Sequence, residues 1–264
     1  MGSVLNRLVF EPPEAEYTPK LLTHGIWVRS KKGGYDIPVL RFQRPNSKFI
    51  LIYSHGNAED LGSICDWCEY LSKQLGVDVY SYDYCGYGCH KPEDHTLPTE
   101  DNVLDDANSL VKYVQSHRRD DQKIVVWGRS LGSAPAIATA SGDPTIDGLI
   151  VESGFLTCVK TRFSLWNSSL DMFRNEDWIV KCVQPVLVMH GEQDTIVPIW
   201  HGKRLHELAP RPWNKGRWFL NGSHNNLDTS FRGDVIRTVK EYMLDLNADD
   251  RTDSFRRGFN APSL

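Results

Sequence analysis

The sequence predicts an α/β domain: a mostly parallel sheet with helices on both faces. Three observations carry that expectation. Strand-like apolar runs alternate with helix-length amphipathic segments along most of the 264 residues. Several runs are apolar throughout, as strands buried on both faces are. One of them, Lys123-Ile124-Val125-Val126-Trp127, leads into Gly128-Arg129-Ser130-Leu131-Gly132 and then a small-residue helix. That strand–elbow–helix order is the context a G-x-S-x-G motif needs.

Taken in order, the chain opens with an arm over residues 1–24. Met1-Gly2-Ser3-Val4-Leu5-Asn6 begins like a myristoylation signal, but Asn6 stands where Ser or Thr is preferred. The Pro-rich segment 11–19 has no periodicity of its own. Runs at 25–29 and 36–42 flank Lys31-Lys32-Gly33-Gly34 and read as a hairpin. Phe49-Ile50-Leu51-Ile52-Tyr53-Ser54 is a fully buried strand by its unbroken apolar character. A helix follows near residues 60–75, then a strand at 77–82. Residues 98–117 form the clearest amphipathic helix, with Pro98 and Thr99 at its start and Val103, Leu104, Ala107, Leu110, Val111 and Val114 on one face. After the Ser130 elbow come strands at 148–151, 185–189 and 216–220, and a closing helix marked by Phe231, Val235, Val239 and Met243. These runs total eight strands in a domain spanning residues 25–246. Residues 247–264 are polar, charged and aperiodic and are expected to form a mobile tail.

Composition narrows the function classes. The net charge of −4 and the scattered basic residues argue against a nucleic-acid partner. No apolar run reaches the length of a membrane span, and residues 1–10 are too short and mixed for a secretory signal. The six cysteines are Cys65, Cys68, Cys85, Cys89, Cys158 and Cys182. Cys65 and Cys68 fall inside a helix, and no second pair stands at metal-ligand spacing, so free thiols in a reducing compartment are expected. Neither a metal nor a cofactor is expected, and the chain is read as a monomer.

The elbow lifts a serine hydroxyl above the C-terminal edge of the sheet, where it needs a base, and the base needs an acid to fix its tautomer. The chain order for this arrangement is serine, acid, histidine, each on a loop after a strand. Val186-Leu187-Val188-Met189-His190-Gly191-Glu192-Gln193-Asp194 delivers Asp194 at a strand end. Phe219-Leu220-Asn221-Gly222-Ser223-His224-Asn225 places His224 in a turn before the last helix. The candidate triad is therefore Ser130, Asp194 and His224. Glu192 on the same loop and Glu152 at the end of strand 148–151 are the rival acids. His55, His190, His201 and His206 read as core or surface residues, and His117 as a helix-end charge.

An oxyanion hole needs backbone N–H groups from the residue after the nucleophile and from the turn after the third strand. These are Leu131 and a donor in Ser54-His55-Gly56-Asn57-Ala58, with Asn57 first and Ala58 next. Asp83, in Tyr82-Asp83-Tyr84-Cys85-Gly86-Tyr87-Gly88, reads as a holder of neighbouring amides in a glycine loop, since it precedes the serine.

With these motifs in view the chain resembles the alpha/beta-hydrolase domain-containing seventeen group, whose members act as protein depalmitoylases. The agreement runs from Phe10-Glu11-Pro12-Pro13 to about Leu246, through the Ser54–Gly62 and Tyr80–Gly88 motifs, the Ser130 elbow, His190–Asp194 and Gly222–Asn225. The resemblance implies an α/β-hydrolase fold, and Ser130, Asp194 and His224 as nucleophile, acid and base. It departs in one place: the group's vertebrate depalmitoylases carry an N-terminal cysteine cluster that is itself palmitoylated, whereas residues 1–10 here hold no cysteine.

The expected activity is hydrolysis of acyl esters or thioesters, with an acylated protein or a small acyl ester as substrate. The expected location is cytoplasmic, with peripheral membrane contact included. A serine peptidase of the same fold and a non-catalytic binding protein are the alternatives. Residues 154–178 supply the short cap, and Phe155, Leu156, Phe163, Leu165, Trp166, Leu170, Met172, Phe173 and Trp178 make it rich in large apolar groups. That stretch serves either as packing on the core or as an apolar groove for an acyl chain.

Overall fold

The computed structural model describes Asn6 and residues 9–15, 17–18, 25–89, 98–162 and 171–259. Eight strands form one sheet: β1 (Ile26–Arg29), β2 (Asp36–Phe42), β3 (Phe49–Ser54), β4 (Asp78–Tyr82), β5 (Lys123–Arg129), β6 (Gly148–Glu152), β7 (Val186–Gly191) and β8 (Arg217–Phe219). Their order across the sheet is β1-β2-β4-β3-β5-β6-β7-β8. β1 and β2 form the antiparallel hairpin that the sequence predicts, β2 pairs antiparallel with β4, and every later pairing is parallel. β3, β4, β6 and β7 are buried at every residue, and β3 accordingly reads as an unbroken apolar run.

Helices cover both faces. On one side pack α2 (Glu100–His117), α3 (Ser133–Gly142), and the short α5 (Asn175–Ile179) and α6 (Trp200–Leu208), against Ile50, Ile52, Val126 and Val151. On the other side α1 (Leu61–Leu75) and α7 (Arg232–Phe259) cover Leu51, Tyr53, Val125 and Trp127. Neighbouring residues of one strand thus feed opposite cores, as a period of two requires. Asp60 caps α1 in a reciprocal box with Ser63, and Gly76 ends it in the left-handed region at φ 69°. Thr99 caps α2 through the N–H of Asn102 at 3.1 Å. α4 (Cys158–Arg162) and α5 lie in the cap segment.

Three features go beyond the sequence pattern. α6 occupies an interval to which the sequence pattern assigns no element. Its buried side is only His201, Gly202 and Leu205, too few apolar residues to make a stripe. The last helix continues to Phe259 instead of giving way to an aperiodic tail at residue 247. Polar residues without an apolar period can still take helical backbone, and periodicity is blind to that. Residues 11–15 and 17–18 are less of a loose arm than their composition suggests. Phe10 and Tyr17 are buried, and Phe10 packs edge-on against Phe173 with ring centroids 5.8 Å apart.

Candidate active site

β5 runs into a single 3₁₀ turn, Ser130–Gly132, before α3 begins. Ser130 sits at φ 51°, in the left-handed region that side-chain-bearing residues avoid. Crowding holds it there. A Cβ on Gly128 would lie 2.1 Å from the carbonyl oxygen of Gly132, and one on Gly132 would lie 2.0 Å from that of Ser54. Both glycines are dictated by backbone passing within van der Waals reach.

The loops after β7 and β8 lie against each other. The N–H of Gln193 donates to Gly222 O at 2.8 Å, and that of Glu192 donates to Phe219 O at 3.0 Å. Gly191 must lack a side chain, because a Cβ there would sit 2.4 Å from Gly222 O. This contact brings the loop of Asp194 to the loop of His224. The result is a linear relay: Asp194 Oδ2 accepts from His224 Nδ1 at 2.7 Å, and His224 Nε2 faces Ser130 Oγ at 2.9 Å. Asp194 and His224 are both buried.

Asp194 is held by more than His224. Its Oδ1 accepts the N–H groups of Ile196 at 2.9 Å and Val197 at 2.8 Å. Its Oδ2 also faces His190 Nε2 at 3.3 Å. Burial pushes the Asp194 carboxyl up, but hydrogen bonds from His190 and His224 outweigh that and hold it well below the usual carboxylate range. His190 is buried as expected, and it also donates to Val197 O at 2.7 Å, so it braces the acid loop. The signal that could have found it is its place at a strand end four residues before Asp194.

The rival acids go elsewhere. Glu152 ends β6 fully buried, accepting from Trp127 Nε1 at 2.9 Å, with Arg129 Nε 3.8 Å away. Glu192 is exposed. Asp83 holds the N–H of Leu61 at 2.9 Å and the Tyr17 hydroxyl, and faces His55 Nε2 at 3.4 Å.

Ser130 opens into a cavity of about 800 Å³. Asn57, Ala58 and Leu131 line it together with Ser130 and His224, so both expected oxyanion residues reach the same space. The side chain of Asn57 is fixed on both ends: Oδ1 accepts from Tyr87 Oη at 2.6 Å and the Glu11 N–H at 3.1 Å, and Nδ2 donates to Val9 O at 2.8 Å. Val9 and Glu11 are thereby tied to the turn after β3, and both form part of the cavity wall.

Of the apolar stretch 154–178, only part faces this cavity. Phe155 lines it, whereas Phe173 is fully buried and Leu156, Met172 and Trp178 belong to the core. Phe163, Leu165, Trp166 and Leu170 lie outside the described residues. Among the described residues no group of three His, Cys, Asp or Glu side chains is arranged to hold a metal ion, and no helix is long and apolar enough to cross a membrane.

Fold and elbow together define an α/β-hydrolase. The chain belongs to the hydrolase family described as serine aminopeptidase, S33, whose model matches residues 45–176, and its curated relatives include alpha/beta hydrolase domain-containing proteins of the 17 group. It is 26% identical to the human alpha/beta hydrolase domain-containing protein 17B, over 92% of this chain and 91% of that protein. It is 27% identical to the aho-3 protein of Caenorhabditis elegans, over 86% of this chain and 74% of that one. Among solved structures, esterase Pf2001 of Pyrococcus furiosus superposes with a TM-score of 0.71 at 18% identity, covering 89% of this chain and 98% of that one. Est1E of Butyrivibrio proteoclasticus with ferulic acid gives 0.66 at 18% identity, covering 84% and 99%. At such identity these two likenesses establish the fold alone. The protein is a hydrolase of this family.

Proposed function

We propose that the protein is a serine hydrolase of acyl esters and thioesters, palmitoyl-protein thioesters among them. The observation that carries the reading is the relay from Asp194 through His224 to Ser130, with both contacts at hydrogen-bond length. Ser130 Oγ attacks the acyl carbonyl carbon while His224 Nε2 takes its proton. The oxygen that gains charge is met by the N–H groups of Asn57 and Leu131. As the C–S or C–O bond breaks, His224 returns the proton to the departing thiolate or alkoxide. Water, deprotonated by His224, then attacks the acyl-serine ester and releases the acid. Val9, Leu131, Phe155, Ile196 and Val197 give the cavity an apolar side suited to an acyl chain.

A second reading is an aminopeptidase, favoured by the family description and by the carboxylates of Glu11 and Asp228 on the cavity wall, which suit a substrate ammonium. Esters, thioesters and aminoacyl anilides assayed side by side separate the two. The serine reading is tested with a fluorophosphonate probe and a p-nitrophenyl ester. Ser130→Ala is expected to lose labelling and about ten-thousandfold or more in turnover while keeping its melting temperature. Labelling that persists in that variant refutes it.

A further inference from the structure

Arg129, the residue just before Ser130, is buried at 7% exposure and still lines the cavity. A guanidinium in such a place is costly unless its donors are met. Here it is surrounded by groups from the ends of three different strands. One Nη2 nitrogen donates to the backbone carbonyl of His224 at 3.1 Å and to Asn225 Oδ1 at 2.8 Å. Nη1 donates to Glu59 Oε1 in an ion pair. The other oxygen of Glu59 accepts the N–H of Gly56, the residue that precedes Asn57. Nε lies toward Glu152 at 3.8 Å.

We propose that Arg129 and Glu59 form a positioning pair that sets the general base His224 relative to the oxyanion turn at Gly56-Asn57. The inference rests on the serine-hydrolase reading. His224 approaches Ser130 from the loop after β8, and Asn57 approaches it from the turn after β3. Those segments have separate strands and separate packing, so their spacing is not fixed by either core. The planar guanidinium, rooted on β5 beside the nucleophile, spans both. Nη1 and Nη2 bond to protein groups and Nε faces Glu152, so the guanidinium is held by the protein where it borders the cavity. The packing is close: a Cβ on Gly56 would lie 2.8 Å from Glu59 Oε2 and 3.0 Å from Arg129 Nη1.

The test uses the full chain and a short p-nitrophenyl ester, with the turnover number referred to sites titrated by fluorophosphonate. Misplacing a reacting group by about 1 Å costs about a hundredfold. Arg129→Met is therefore expected to lower kcat about a hundredfold with KM within about threefold. Arg129→Lys keeps the charge but cannot reach both the His224 carbonyl and Glu59, so it should fall between parent and Arg129→Met. Glu59→Gln should lower kcat about tenfold, and the double variant Arg129→Met/Glu59→Gln should be no worse than Arg129→Met alone, because the pair acts as a unit. A residue that only stabilised the fold would lower the melting temperature and the number of titrated sites and leave kcat per site unchanged. That outcome, or losses that multiply in the double variant, overturns the proposal. If Arg129→Met fails to fold, Glu59→Gln decides the matter: kcat per site within twofold of the parent overturns it. Failure of the underlying reading is seen separately, as labelling or turnover that survives Ser130→Ala.

Discussion

Asp194→Asn acts first on the tautomer of His224, and the hydrogen bonds around Asp194 say why. Oδ1 receives two backbone N–H groups, from Ile196 at 2.9 Å and Val197 at 2.8 Å. Oδ2 faces His224 Nδ1 at 2.7 Å and His190 Nε2 at 3.3 Å. An asparagine has one carbonyl oxygen and one NH₂. The two backbone donors hold the oxygen, because an NH₂ in that place would meet N–H groups only. The NH₂ is left in the position of Oδ2, where it must donate to His224 Nδ1. An imidazole accepting at Nδ1 carries its proton on Nε2 and cannot take the proton of Ser130. The expected loss is about ten-thousandfold in kcat, with KM within a few-fold. The NH₂ also opposes His190, so stability should fall by about 1–3 kcal/mol. The parent's stability should weaken in acid through this group. Its folded pKa is depressed, so its contribution is complete above the unfolded value of about 3.9 and is lost as pH falls through the folded one. The variant should lack that part of the acid limb. Steady-state ester hydrolysis and melting curves from pH 2 to 7 read both effects. A kcat within tenfold of the parent, in folded protein with titrated sites, would refute the argument about the base.

Three further outcomes are expected. Glu152→Gln should keep kcat within about tenfold of the parent. Burial raises the Glu152 carboxyl to about 7, so the parent loses stability as pH rises from about 4.3 to 7 while the glutamine variant does not. The melting temperature of the variant minus that of the parent should climb over this range and level off above it, and a flat difference would contradict the assignment. Gly132→Ala places a Cβ 2.0 Å from Ser54 O. With backbone on both sides unable to yield, it should cost more than about 3 kcal/mol, measured by denaturant unfolding. Phe155→Ala should flatten the rise of kcat/KM with acyl length on p-nitrophenyl esters. Each methylene buried against this wall is worth up to about 0.8 kcal/mol in the parent, and an unchanged slope would place the acyl chain elsewhere.

Much of the fold was legible because buried strands and amphipathic helices write their environment into local pattern. β3, β5 and the face of α2 were found that way, and β1–β2 from the turn at Lys31-Lys32-Gly33-Gly34. The elbow and the residues now brought together at it were legible for a different reason. Chemistry restricts the residue types, and topology restricts them to strand ends. What pattern could not reach were the contacts between those ends. Arg129 beside His224 and Asn57 holding Val9 and Glu11 join segments far apart in sequence. Arg129 left one trace, a charged residue closing an otherwise apolar strand, which at a buried position demands partners. The apolar stretch 154–178 misled in part. Composition cannot say which way a side chain points, and Phe173 turned to Phe10 in the core while Phe155 turned to the cavity.

Asp194 and Glu152 are buried carboxylates at the ends of adjacent strands, and chain order alone does not decide which serves His224. Their donors do. Asp194 is met by two backbone N–H groups on one oxygen and by His224 and His190 on the other, which together overcome burial and keep it charged. Glu152 has the Trp127 indole N–H and a guanidinium at 3.8 Å, and burial prevails, leaving its carboxyl near 7. A carboxyl that is half protonated near neutrality is a poor stabiliser of an imidazolium. One that remains ionised through the working range can hold the His224 proton at Nδ1 and offset the charge that appears when Ser130 is deprotonated. The same logic explains the loop after β7. The turn at Ile196 and Val197 aims two amides at Asp194 because a carboxylate placed beside a histidine, out of water, has to be kept charged by the protein itself.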